Sequence, residues 1–132
     1  MVALMNHSPN SVLAKKILVV EDELSLVELL TIVFEEHGYH VDSVSNGKYV
    51  IDAIRRIEPD AITLDLGLPG LDGQAILTLL AADPKLRNIP VVVVSAFADE
   101  LKRTPQVRAV VRKPFDLNHL IQEVSRVTST HP

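Results

Sequence analysis

The stretch KILVVEDELSLVELLTIVFEEHG, residues 16–38, joins a short β-branched run to a longer segment with helical periodicity. The run at residues 17–20 is apolar throughout and ends abruptly in acid, which is typical of a parallel strand buried on both faces. Apolar side chains then recur in one stripe: Leu26, Leu29, Leu30, Val33 and Phe34. Gly38 provides a stop for this helix. The stretch therefore predicts one strand followed by one helix.

The same alternation of strand and helix continues from this unit to the end of the chain. Four more strands are predicted, at residues 39–44, 61–64, 91–94 and 107–111. Helical stripes follow the second, third and fifth strands, with Asp72 and Asp116 as the expected N-caps of the last two. Residues 97–106 leave room for only two or three helical turns because Pro105 interrupts them. Strict alternation predicts a doubly wound α/β fold, with a parallel sheet and helices on both faces.

The composition fits one folded domain. The chain has 132 residues, of which 47% are hydrophobic, and this is enough for a real core at the usual size of a single domain. We expect the domain at residues 15–128, a disordered extension at residues 1–14 and a short tail at residues 129–132. No run approaches the roughly 18 apolar residues of a membrane span, which predicts a cytoplasmic protein.

Charge and cysteine content exclude several classes of function. The 17 acidic residues outnumber the 13 basic ones and give a formal charge of −4. Direct binding to nucleic acid needs a basic stripe that releases counterions, so it is not expected here. The chain has no cysteine, which excludes disulfides, thiolate catalysis and zinc–cysteine sites.

Polar residues follow four of the five predicted strands. Glu21 and Asp22 follow the first strand, Asp65 the third, Ser95 the fourth and Lys113 the fifth. Doubly wound folds bind ligands beyond the carboxyl ends of their strands, so these side chains are expected to meet. Three carboxylates at one edge repel one another unless a cation neutralises them, and oxygen ligands favour Mg²⁺. Together with a hydroxyl and an ammonium group they suit a phosphoryl group, and the central carboxylate is a candidate nucleophile.

Four ordered motifs resemble the receiver domain of two-component response regulators, over roughly residues 15–128. The motifs are VVED at residues 19–22, LDLGLPGLDG at 64–73, VVSA at 93–96 and KPF at 113–115. The resemblance implies a flavodoxin-like strand order, 2-1-3-4-5. It also implies a domain that catalyses only its own phosphorylation and dephosphorylation and is not otherwise an enzyme.

The resemblance implies a role for each of three residues in accepting and holding a phosphoryl group. Asp65 looks like the phosphoacceptor, which takes a phosphoryl group from a sensor histidine kinase or a phosphotransfer protein. Ser95 would donate a hydrogen bond to that group, and Lys113 would pair with it next to a cis Lys-Pro peptide bond. Phosphorylation would then change which downstream target or output domain is bound.

The resemblance also implies a metal site for Mg²⁺. Asp22 and Asp65 would bind the ion through their side chains, and Glu21 would act mainly through bound water. Gly67 would contribute its backbone carbonyl, a role that glycine can fill because the ligand is a main-chain oxygen.

Three features depart from the family pattern. Val110 stands where the family has its switch aromatic, three residues before the lysine, and a valine cannot swing a ring. The segment between Ser95 and Lys113 is about one helical turn short, so a stunted fourth helix and a monomer or weak dimer are expected. Phe97 and Gly67 leave the mouth of the site apolar, which predicts slow self-dephosphorylation.

Four functions remain open on the sequence alone. The first is a phosphorylatable receiver, and the second is a pseudo-receiver that binds partners without phosphate, as Val110 suggests. A phosphatase of the haloacid dehalogenase type would need a second aspartate where the chain has Gly67. A flavodoxin-like electron carrier would need hydroxyls and free N–H groups in the first loop, which is acidic. Taken singly, Asp22 and Ser95 also have a simpler interpretation as helix-start residues, and Lys113 as a surface lysine.

Overall fold

Five parallel strands form one sheet in the computed structural model, which describes residues 14–129. The strands are β1 (Lys16–Val20), β2 (His40–Val44), β3 (Ala61–Leu64), β4 (Val91–Ser95) and β5 (Val107–Arg112). Their order is β2-β1-β3-β4-β5, and every neighbouring pair is parallel. The predicted sheet and its strand order are confirmed. The predicted extension and tail lie outside the described residues, apart from Ala14 and Ser129.

Within the described residues, four α-helices lie between and after the strands: α1 (Leu24–Glu36), α2 (Val50–Ile57), α3 (Gly73–Ala82) and α4 (Leu117–Thr128). Asp72 caps α3, because its side chain accepts a hydrogen bond from the Ala75 N–H at 2.9 Å, and Asp116 caps α4 in a similar way. After α1, Gly38 takes a φ of +91°, which glycine adopts without strain. These predicted helix boundaries are confirmed. Within residues 14–129, every helix is too short or too polar to cross a membrane.

The helices cover both faces of the sheet, as the alternating pattern predicts. Beneath α2 and α3, Ile54 and Ile76 are fully buried against one face. Beneath α1 and α4, Phe34 and Leu120 are fully buried against the other. The sequence also predicts a buried Leu29, and this is wrong, because Leu29 is 44% exposed. The buried stripe of α1 is narrower than its periodicity indicates, since only two of its residues are buried.

The crossover between β4 and β5 contains only one 3-10 turn, at Ala98–Glu100. The prediction of two or three helical turns is therefore wrong in extent, although a stunted helix is what the sequence led us to expect. Pro105 disfavours a helical conformation of the residue before it. The Gln74 side chain of α3 also holds the Lys102 backbone, because it accepts from the Lys102 N–H at 2.9 Å and donates to the Lys102 carbonyl at 3.1 Å. These contacts keep the crossover close to the body of the domain without a helix.

Candidate functional site

Three carboxylates meet at the carboxyl ends of β1 and β3. Val20 and Leu64, the last residues of these strands, are register partners, so the residues that follow emerge side by side. The Asp65 N–H extends the ladder by donating to the Val20 carbonyl at 3.0 Å. One carboxylate oxygen from each of Glu21, Asp22 and Asp65 lies within 4.8 Å of the other two. Oxygen atoms at this spacing suit a hard divalent cation such as Mg²⁺.

Burial differs among the three acids. Glu21 is 3% exposed and Asp65 is 6% exposed, whereas Asp22 faces solvent. Burial raises the pKa of Glu21, while hydrogen bonds from Lys113 and from the Glu23 N–H oppose that rise. The Glu23 N–H donates to Glu21 Oε2 at 3.1 Å. The net result is a raised pKa, so without a metal ion the folded protein holds this negative charge at an energetic cost.

Lys113 supplies a positive charge to the cluster. Its Nζ donates to Glu21 Oε1 at 2.8 Å and to Asp65 Oδ2 at 3.3 Å. Burial opposes the charge on this lysine, but the hydrogen bond to Glu21 and the charges of Glu21 and Asp65 outweigh it and raise the pKa of Lys113. Lys113 therefore stays an ammonium group. The backbone N–H of Lys113 donates to the Ser95 carbonyl at 3.2 Å. The peptide bond between Lys113 and Pro114 is cis.

Ser95 ends β4 and is fully buried. Its Oγ accepts from the Phe97 N–H at 3.0 Å and from the Leu66 N–H at 3.4 Å. These two bonds use the acceptor positions of the hydroxyl and leave its proton available for donation. Because Leu66 directly follows Asp65 in the chain, the hydroxyl of Ser95 is tied to the backbone next to the acidic cluster.

Gly67 and Phe97 form the mouth of the site. The Gly67 N–H donates to Asp65 Oδ1 at 3.1 Å and so orients that carboxylate. The Phe97 ring packs over Gly67, since a Cβ placed on this glycine would lie 2.6 Å from the ring atom Cε2. Phe97 is 49% exposed, so the ring covers the glycine on one side and faces solvent on the other.

A small cavity lies beside the mouth of the site. A cavity of about 280 Å³ beside the mouth is lined by Leu66, Gly67, Asp72, Gln74, Phe97 and Glu100. A larger cavity of about 730 Å³, lined by residues of α2, of the α2–β3 loop and of the α3–β4 loop, includes none of the site residues.

The structure brings the sequence-predicted site residues to one edge of the sheet: Glu21, Asp22, Asp65, Gly67, Ser95 and Lys113. Within the described residues Asp22 caps no helix, since Glu23 occupies the N-cap of α1. Sequence reasoning missed one neighbour of the site, the turn at Asn46 and Gly47, which contacts the loop after β3. The Asn-Gly pair is a turn signal that could have drawn attention to it.

Comparison with known families identifies the domain. The sequence profile of the family described as "Response regulator receiver domain" matches residues 17–125. The chain belongs to this family. A receiver domain is a signalling module and not a classical enzyme.

Relatives of this receiver domain extend over most of its length. Protein Rrf1 of Nitratidesulfovibrio vulgaris is 31% identical over 88% of this chain and 84% of that protein. The sporulation initiation phosphotransferase F of Bacillus subtilis is 30% identical over 85% of this chain and 92% of that protein. By contrast, the chain spans about half (49%) of the DNA-binding response regulator MtrA of Mycobacterium tuberculosis, at 32% identity.

Solved structures include a similar domain with a metal ion. The receiver domain of the sensor histidine kinase PA1611 from Pseudomonas aeruginosa aligns with a TM-score of 0.71 and 26% identity, over 89% of this chain and 99% of that one. In that structure a magnesium ion is coordinated in the active site cleft.

Proposed function

We propose that this receiver domain accepts a phosphoryl group on Asp65 with the help of Mg²⁺. The observation that carries the proposal is the position of the Lys113 ammonium group, which lies within hydrogen-bonding distance of both Glu21 and Asp65 beside three clustered carboxylates. Asp65 is the one of the three acids that also accepts the Gly67 N–H. Glu21 is also held by Lys113 and by a backbone N–H. However, Asp65 follows the central strand β3, and its neighbour Leu66 donates to the Ser95 hydroxyl. Asp65 is therefore the acid that is linked to both the lysine and the serine.

The donor set fits Mg²⁺, because it consists of oxygen atoms only. Asp22 and Asp65 would hold the ion through their carboxylates, Glu21 through bound water and Gly67 through its carbonyl oxygen. When bound, Mg²⁺ would neutralise part of the charge on the carboxylates and on the incoming phosphoryl oxygens. The magnesium ion in the cleft of the PA1611 receiver supports this assignment.

The proposed transfer is an in-line displacement at phosphorus. A carboxylate oxygen of Asp65 forms the new P–O bond while the bond from phosphorus to the leaving group of the donor breaks. For a phosphohistidine donor, the imidazole nitrogen keeps the electron pair of that bond and takes up a proton from solvent. Lys113 neutralises charge on the phosphoryl oxygens, and Ser95 donates its unused hydroxyl proton to one of them. The product is an acyl phosphate on Asp65.

The proposed partners follow from this chemistry. A sensor histidine kinase or a phosphotransfer protein would supply the phosphoryl group, and the relative named as a phosphotransferase supports that class of donor. The phosphorylated form would favour a conformer that binds a downstream target or output domain with different affinity. The signalling unit would be residues 15–128, which include every strand and helix described above.

Mass spectrometry of the intact protein tests the proposal. The wild type, Asp65→Asn and Asp72→Asn are incubated with phosphoramidate and Mg²⁺. Asp72 is the matched control, because it lies in the same loop but is exposed and caps α3. We expect one phosphoryl adduct on the wild type and on the Asp72 variant, and none on the Asp65 variant. An adduct of equal yield on Asp65→Asn would overturn the assignment.

One observation favours the pseudo-receiver as a second candidate. Val110, at the position of the switch aromatic, is partly buried against the core beneath α2 and α3, and the crossover before it lacks an α-helix. A pseudo-receiver predicts that the wild type binds Mg²⁺ and yet gains no phosphoryl adduct in the same experiment.

A further inference from the structure

The turn between β2 and α2, residues 45–49, lies against the phosphoacceptor loop, residues 65–73. The Gly47 N–H donates to the Pro69 carbonyl at 2.9 Å. A Cβ placed on Gly47 would overlap the carbonyl oxygen of Leu71 and lie 2.6 Å from its carbonyl carbon. Both neighbours are backbone atoms, so no flexible side chain is available to move aside.

Asn46 and Gly70 interlock the same two segments. Gly70 has a φ of +86°, and a Cβ on it would overlap the Oδ1 atom of Asn46. That Oδ1 also accepts from the Lys48 N–H at 2.9 Å, which fixes it within its own turn. One glycine on each segment thus lets the turn and the loop pack closely, and a side chain at either position would push them apart.

The phosphoacceptor loop is closed on itself and leads directly to the metal ligands. The Gly73 N–H donates to the Leu66 carbonyl at 3.1 Å, and a Cβ on Gly73 would lie 2.6 Å from Leu66 Cα. The Gly67 N–H in turn holds the Asp65 carboxylate. In a closed loop of this size, a displacement of Pro69 and Leu71 would also move Asp65 and Gly67, the two residues that would bind the ion.

We propose that Gly47 is a positioning residue for the phosphoacceptor loop, an inference that rests on the proposed function. Gly47 is not among the residues that would hold the metal ion or the phosphoryl group. Its missing side chain lets the β2–α2 turn support the loop that carries Asp65 and Gly67, the residues that would hold the ion through a carboxylate and a carbonyl oxygen. Outer-shell partners that hydrogen-bond metal ligands directly are worth about 10- to 100-fold in metal affinity, and Gly47 acts one contact further out, so we expect the lower end of that range.

The test compares Gly47→Ala with the control Gly38→Ala. Gly38 has a φ of +91°, so alanine strains the backbone there, but a Cβ would meet no atom within 4 Å. Gly38 also lies between α1 and the start of β2, at the other end of the strands from the site. Mg²⁺ affinity is measured by titration of the amide NMR signals of each protein. We expect about tenfold weaker binding or more in Gly47→Ala and unchanged binding in Gly38→Ala.

A second variant keeps the proposal testable if Gly47→Ala does not fold. Asn46→Ala removes the oxygen that packs against Gly70 and adds no atoms, so we expect a smaller loss of Mg²⁺ affinity in the same direction. Equal affinity in every variant, or parallel losses in Gly47→Ala and Gly38→Ala, would overturn the positioning role while the wild type binds Mg²⁺ normally. A wild type that binds no Mg²⁺ would overturn the proposed function, and the positioning role with it.

Discussion

At the scale of single residues, Lys113 carries most of the charge compensation in the site. Replacing it with alanine leaves two buried carboxylates without their ammonium partner and removes a donor to the phosphoryl oxygens. We expect Lys113→Ala to slow phosphorylation of Asp65 by about a hundredfold, the usual effect of losing one preorganised donor to a developing charge. The rate of adduct formation with phosphoramidate measures the effect. Lys102→Ala, an exposed lysine outside the site, is the control, and equal rates in all three proteins would contradict the role of Lys113.

Glu21 links stability to pH, because its pKa is raised in the folded protein above the ordinary value of 4.5. The folded state therefore holds a proton on Glu21 more tightly than the unfolded chain does. The stabilising contribution of this group is complete below the unfolded pKa and is lost as pH rises through the folded pKa. In EDTA, we expect the wild type to lose stability relative to Glu21→Gln as pH rises above the ordinary value of 4.5. Urea denaturation of both proteins measures the free energy of unfolding at each pH. A wild type that gains stability relative to Glu21→Gln as pH rises would contradict the prediction.

At the scale of elements, the crossover after β4 places the Phe97 ring over Gly67 at the mouth of the site. Under the proposed function, this ring would leave water poorly placed to attack an acyl phosphate on Asp65. We expect a phosphorylated wild type that survives far longer than seconds, and loss of phosphate several-fold faster in Phe97→Ala. Leu79→Ala removes an apolar side chain of similar exposure from α3 and is the control. Release of a radiolabelled phosphoryl group gives the rates, and a wild-type lifetime of only seconds would be the opposite result.

The position of the same crossover, which contains no α-helix, depends on the Gln74 side chain. Its amide makes two hydrogen bonds to the Lys102 backbone at the protein surface. We expect Gln74→Ala to lower the free energy of unfolding by about 1 kcal/mol and to speed hydrogen exchange at the Lys102 amide. Gln122→Ala, an exposed glutamine of α4, is the matched control. Unchanged exchange at Lys102 would show that the clamp has no part in holding the crossover.

The elements also show how far the sequence predicts this structure. The strands are predictable because apolar β-branched runs have few alternatives to burial in a parallel sheet, and Asp65 is found because it follows such a run. The burial of Leu29 is wrongly predicted because helical periodicity gives the direction of a buried stripe but not its width. The extent of the crossover helix and the packing of Gly47 were missed for one reason. Both depend on contacts with segments distant in sequence, α3 for the crossover and the loop at residues 65–73 for Gly47.

At the scale of the whole molecule, parallel strands gather groups that lie up to 92 positions apart in the chain, as in the bond between Lys113 and Glu21. The two helical layers bury the faces of the sheet, and the site residues lie at the carboxyl ends of its strands. The site combines an acid that is costly to ionise with a lysine that stays charged, and under the proposed function this arrangement would suit a cation and a phosphoryl group. The monomer or weak dimer expected from the sequence stays a prediction.

A crystal structure of the protein with Mg²⁺ and beryllofluoride, which mimics a bound phosphoryl group, tests most directly whether Asp65 is the phosphoacceptor. We predict beryllium bonded to the Asp65 carboxylate, with Lys113 Nζ and Ser95 Oγ on its fluorine atoms. We also predict an ion held by the Asp22 and Asp65 carboxylates and the Gly67 carbonyl. Beryllofluoride bound away from Asp65, or an Asp65 site with no ion and Lys113 turned to solvent, would contradict the proposed site.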